Sequence, residues 1–158
     1  MPCIKLHTII LAEKKLCFDL SRSIDLHKIS TNFTNEEAIA GVTRGLINLG
    51  EYVTWRAKHF GLYMKLTSKI TSFNPYDSFT DEMVKGPFKY ITHVHTFEYV
   101  DGKTIMADEF NFDSPFGILG VLFNKVILTS YLEKLLLKRN SIIKQYAESN
   151  LWKKIIKQ

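Results

Sequence analysis

Cysteine is scarce in this chain. Cys3 and Cys17 are its only two among 158 residues, and neither sits in a CxxC or Cys/His spacing. That excludes a disulfide framework and a thiolate zinc site, and leaves two reduced, semi-buried thiols of a cytoplasmic protein. Long apolar runs are also missing. No stretch reaches the roughly 18 residues that a membrane span needs. Ile9-Ile10-Leu11 is too short for a signal peptide and has no small-residue cleavage site after it. Repeats, low-complexity tracts and linkers are absent, and no basic stripe interleaves with aromatics on the strands, so nucleic acid is not an expected partner.

Apolar residues make up 46% of the chain, charged residues 23% and aromatics 13%, which fits one soluble domain with a large interior. The net charge of +5 is unevenly placed. Acids and bases balance through residue 132. Beyond it, Lys134, Lys138, Arg139, Lys144, Lys153, Lys154 and Lys157 face only Glu133 and Glu148. This pattern reads as the solvated face of an amphipathic helix, with weak membrane-surface contact as the alternative. Residues 1–147 are expected to form one domain. Residues 148–158 are expected to be a basic amphipathic tail or helix extension.

Alternation marks residues 3–11 as a strand, and helical spacing marks two short helices, one over 12–20 and a second, capped by Ser21 or Ser23, running through about Ile29. A short, broken strand is expected near 40–46. Residues 51–59, 62–73, 77–85, 88–99 and 103–114 all alternate, with turn signals at Gly61, Asn74-Pro75, Gly86-Pro87 and Asp101-Gly102. Residues 118–147 contain no proline and carry Leu119, Leu122, Val126, Leu132, Leu136 and Ile143 at helical spacing. Such a helix, about 45 Å long, could run along a whole curved sheet. Pro115-Phe116-Gly117 before it reads either as a rigid turn or as a lid.

The expected class is therefore α+β: six to seven antiparallel strands wrapped around a long C-terminal helix, with two short helices after the first strand. The motifs GLINLGE (45–51), VTWRAKHFG (53–61), DEMVKGPF (81–88), HVHTF (93–97) and FDSPFGILG (112–120) resemble those of the helix-grip SRPBCC superfamily, START-related and pollen-allergen-like. Within it, the likeness is to bacterial ligand-binding or polyketide cyclase-like members. The resemblance implies a space between sheet and helix.

Strand alternation assigns the inner face. It collects Trp55, His59, Met64, Leu66, Asp81, Met83, His93, His95, Phe97, Met106, Asp108 and Phe110, with Phe123 facing them from the helix. Polar groups buried there need partners, and His with Asp is the natural pairing, one that raises a histidine pKa. Three readings follow: a structural network, the polar end of a ligand pocket, or an acid–base or metal site. No motif supplies a third metal ligand, so neither metal nor cofactor is expected. The leading functional expectation is a hydrophobic small molecule or lipid bound between sheet and helix by a monomer or homodimer. The alternatives are a polyketide cyclase/dehydrase-like enzyme using a His/Asp pair, and a protein- or membrane-interaction module using the basic tail.

Overall fold

A computed structural model describes residues 2–115 and 117–157. Seven strands follow the alternating runs: β1 (Cys3–Ile10), β2 (Glu37–Gly41), β3 (Tyr52–His59), β4 (Leu62–Asn74), β5 (Ser78–Lys85), β6 (Tyr90–Val100) and β7 (Lys103–Asp113). They form one antiparallel sheet in the order β1-β7-β6-β5-β4-β3-β2. Strands β3 to β7 are a meander. Asp101-Gly102 joins β6 to β7 with both residues at positive φ, 51° and 78°, the geometry of a two-residue hairpin turn matched to strand twist.

The expected strand near 40–46 is instead Glu37–Gly41. Gly41 ends it rather than lying within it. Its φ is 73°, and a Cβ there would lie 2.1 Å from the Tyr52 carbonyl oxygen, so only glycine permits β2 to meet β3 in this way.

Two short helices close one side, α1 (Lys14–Ser21) and α2 (Ile24–Ser30). Ser23 caps α2, its hydroxyl accepting from the Leu26 N–H at 3.2 Å. After the sheet come α3 (Gly117–Phe123), a π turn (Asn124–Leu128) and α4 (Thr129–Ala147). The lid or rigid turn expected at 115–117 falls partly outside the described residues, because it includes Phe116.

Leu119, Leu122 and Val126 do not cover the sheet. Leu119 is 77% exposed, and among the described residues the first buried large apolar side chain of this segment is Leu128. The segment GILGVLF has no polar residue, so its sequence carries no signal for which side would be covered. The stripe that does cover the sheet is Leu128, Leu136, Ile143 and Ala147. Arg139 and Asn140 lie buried beside it, although Arg139 reads as a solvated charge in the sequence.

The interior has a packed part and a hollow part. Phe18 of α1 meets Phe73, Phe79 and Phe97 edge-on at 5.3–5.5 Å, with Met106, Leu20 and Ile143 in the same cluster. A second cluster joins Ile4, Leu6, Ile91, Phe110, Phe112, Leu128 and Leu136. Trp152, Ile155 and Ile156 pack against the first cluster, so the segment after Ala147 is not a free tail. Among the described residues, no helix is long and apolar enough to cross a membrane.

Candidate functional site

The hollow part is a cavity of about 460 Å³, lined by the inner faces of β3 to β7, by α2 and by the first half of α4. Its wall is largely apolar, with Trp55, Met64, Leu66, Ile70, Met83, Phe88, Ile91, Phe110 and Leu136 contributing. Polar side chains interrupt it, among them three paired groups.

The first group is the His/Asp cluster. Strand register places Asp81 opposite His93, and His95 opposite Asp108. All four side chains therefore point to the same inner face. His93 donates from Nε2 to Asp108 Oδ1 at 2.9 Å, and His95 donates from Nε2 to Asp81 Oδ2 at 3.2 Å. His95 Nδ1 also lies 2.8 Å from Asp108 Oδ1, but its N–H is not aligned on that oxygen, so the contact is ionic in character. Asn140 of α4 donates to the other Asp108 oxygen at 2.6 Å and to Thr8 at 3.2 Å, tying the helix to β1 and β7 through the cluster.

Burial pushes His93 down to about 4, helped by repulsion from His95. The expectation that pairing raises a histidine fails for this residue, because desolvation outweighs its bond to Asp108. His95 goes the other way. Burial lowers it, but its close contact with Asp108 and its hydrogen bond to Asp81 prevail and raise it. Burial also raises both carboxyls, yet the histidine hydrogen bonds hold Asp81 and Asp108 below the usual carboxylate range. The cluster thus favours a protonated His95 between two carboxylates, with a neutral His93 beside it.

The second group lies at the α2 side. His27 stacks on Trp55 with centroids 4.2 Å apart, and its Nε2 donates to Glu36 at 3.2 Å. Burial raises Glu36, but the charge of and bond to His27 outweigh it and lower the carboxyl. The third group is His59, whose Nδ1 is 2.7 Å from the Tyr131 hydroxyl of α4. Burial lowers His59.

Of the residues expected at the site, Trp55, His59, Met64, Leu66, Asp81, Met83, His93, His95, Phe110 and Phe123 line the cavity. Three others take different places. Phe97 and Met106 are packed in the first core cluster, because Phe18 fills that part of the interior and the Ser21 hydroxyl lies against the Met106 sulfur at 3.3 Å. Asp108 stands behind the two histidines, held by Asn140, and does not reach the cavity wall.

The sequence reading missed His27, Glu36, Tyr131, Arg139 and Asn140. The signal for Arg139 and Asn140 was their position beside the apolar stripe of α4. Nothing local marked Glu36, which sits in a polar loop and is brought in by tertiary folding alone.

No protein-family model and no curated protein matches this sequence. Solved structures do match in shape. A Thermus thermophilus protein, TTHA0849, is 15% identical at a TM-score of 0.72, covering 94% of this chain and 100% of its own. Ginseng major latex-like protein 151 from Panax ginseng is 17% identical at 0.69, covering 94% and 98%. The ZhuI aromatase/cyclase of Streptomyces sp. R1128 is 12% identical at 0.69, covering 93% of each chain. The chain has the helix-grip fold, α+β, with a seven-stranded antiparallel sheet around a C-terminal helix. This is the fold that the resemblance of its motifs implied.

Proposed function

We propose that this protein binds a hydrophobic small molecule or lipid between the sheet and α4. The observation that carries the reading is the cavity of about 460 Å³, mostly apolar, with a few convergent polar groups. That volume is in the range of small-molecule sites, and the mixture of wall and polar handles is the usual one. Met64 and Met83 in the wall are flexible, polarizable side chains that adapt to the shape of an occupant. Asp81, His93 and His95 would orient a polar end. Native mass spectrometry of the purified protein tests this. The expected result is a retained lipid or aromatic compound that is lost in Leu66→Trp, which fills the cavity. A wild-type protein that neither retains a compound nor takes one up from a lipid extract would contradict it.

A second reading, a cyclase- or dehydrase-like enzyme, is favoured by one observation. His93 is neutral near pH 7, faces the cavity, and is backed by Asp108, which is the arrangement of a general base. In that case a compound recovered from the cavity is chemically changed on incubation with fresh protein. His93→Gln then stops the change while the protein stays folded. Equal conversion by wild type and His93→Gln would remove the enzyme reading.

A further inference from the structure

The polar cluster has a second property that does not depend on what occupies the cavity. Asp81, His93 and His95 each offer one ligand atom, and these atoms lie within 4.8 Å of one another. Asp81 Oδ2 is 3.2 Å from His95 Nε2 and 3.9 Å from His93 Nδ1. Around a zinc ion at its usual bond lengths of about 2.0–2.2 Å, tetrahedral ligands sit about 3.4 Å apart. The widest separation therefore has to shorten by at most about 1.4 Å, shared between two side chains, to close the three atoms on one cation.

The opposite sides of both rings face one carboxylate. A metal-bound histidine normally gives its remaining N–H to a carboxylate, which fixes the tautomer and the ring plane. Here His93 Nε2 donates to Asp108 Oδ1 at 2.9 Å, and His95 Nδ1 lies 2.8 Å from the same oxygen, where a turn of the ring would align its N–H. Asp108 is itself held by Asn140 at 2.6 Å. One buried carboxylate thus stands behind both rings, while Asp81 stands in front of them. Arg139 lies 3.8 Å from Asp108 and balances one carboxylate, so a cation that displaces the His95 proton meets one excess negative charge.

We propose that Asp81, His93 and His95 form a three-ligand site for a divalent transition metal, with zinc the best match to two imidazoles and a carboxylate. All three line the cavity, so the remaining coordination position opens onto it. Three protein ligands with an open position is the pattern of metal sites that bind a further molecule rather than of closed structural sites. Asp108 and Asn140 act as positioning residues.

The test uses chelator-treated full-length protein. Zinc is titrated calorimetrically and cobalt(II) spectroscopically. The expected result is one equivalent of zinc bound, and intense visible bands of four-coordinate cobalt. Asp81→Asn should weaken zinc binding at least tenfold, and Asp108→Asn roughly 10- to 100-fold, as for other residues that orient metal ligands. His7→Gln on the exposed face of β1 should change nothing. Circular dichroism melts of the metal-free variants establish that each is folded. A weak six-coordinate cobalt spectrum, uptake well below one equivalent, or unchanged affinity in folded Asp81→Asn would overturn the proposal. Should Asp81→Asn not fold, the wild-type cobalt spectrum decides alone.

Discussion

His93 and His95 are two residues apart on one strand, yet they titrate in opposite directions. This has a consequence for stability. An unfolded histidine titrates near 6.5, and folded His93 at about 4. Between those values the unfolded chain takes up a proton that the native protein rejects, so stability falls as pH drops from 6.5 towards 4. His95 is raised, so its contribution is complete below 6.5 and is lost as pH rises through its higher native value. Asp81 and Asp108 are lowered, so theirs is lost on further acidification. Melting temperature should therefore peak near pH 6.5 and decline on both sides. His93→Gln should flatten the decline between 6.5 and 4 while leaving the steeper loss below it. A wild-type profile that is flat from pH 4 to 6.5 would contradict the burial of His93 as described.

At this scale much was legible. The HVHTF strand and Asp81 announce a polar cluster by alternation alone, and Asp108 joins it by hairpin register. What alternation cannot show is depth. Phe97, Met106 and Asp108 share the inner face with His93, but whether a residue meets the cavity or a neighbour depends on Phe18 and Asn140, which arrive from distant helices.

Elements differ in how firmly they hold the fold. Helix α1 inserts Phe18 between β4, β5 and β6, and that ring is fully buried. Phe18→Ala should cost about 3–5 kcal/mol in urea unfolding, the range for a buried aromatic removed from a core. A loss below about 1 kcal/mol would mean that the packed part of the interior is not as described. Helix α3 is the opposite case. Leu119→Lys should change stability by less than about 0.5 kcal/mol, because the side chain meets solvent. A loss of about 2 kcal/mol or more would mean that α3 covers apolar surface after all.

The segment after Ala147 lies between these extremes. Its basic residues suggest a solvated tail, but Trp152, Ile155 and Ile156 pack on the core, so truncation removes apolar contacts as well as charge. Helical periodicity located α3 and α4 as one run. It could not show where contact with the sheet begins, because a segment apolar on every side has no phase.

For the whole molecule, element order and turn chemistry made the helix-grip architecture readable from the chain alone. A meander with an apolar face needs a cover, and one long amphipathic segment was available. The hollow was not readable in the same way. A void depends on which large side chains fail to meet, and that is a property of the assembled interior. The result is a domain packed solid where α1 and the end of α4 meet β6 and β7, and open under the first half of α4.

The central claim is that this open volume takes up an apolar ligand. The most direct test is titration of wild-type protein and Leu66→Trp, side by side, with an environment-sensitive fluorescent fatty acid. Saturable binding near one equivalent by wild type, lost in a Leu66→Trp variant that still melts cooperatively, is the expected result. Equal binding by the two proteins, or no saturable binding by wild type, would contradict the account.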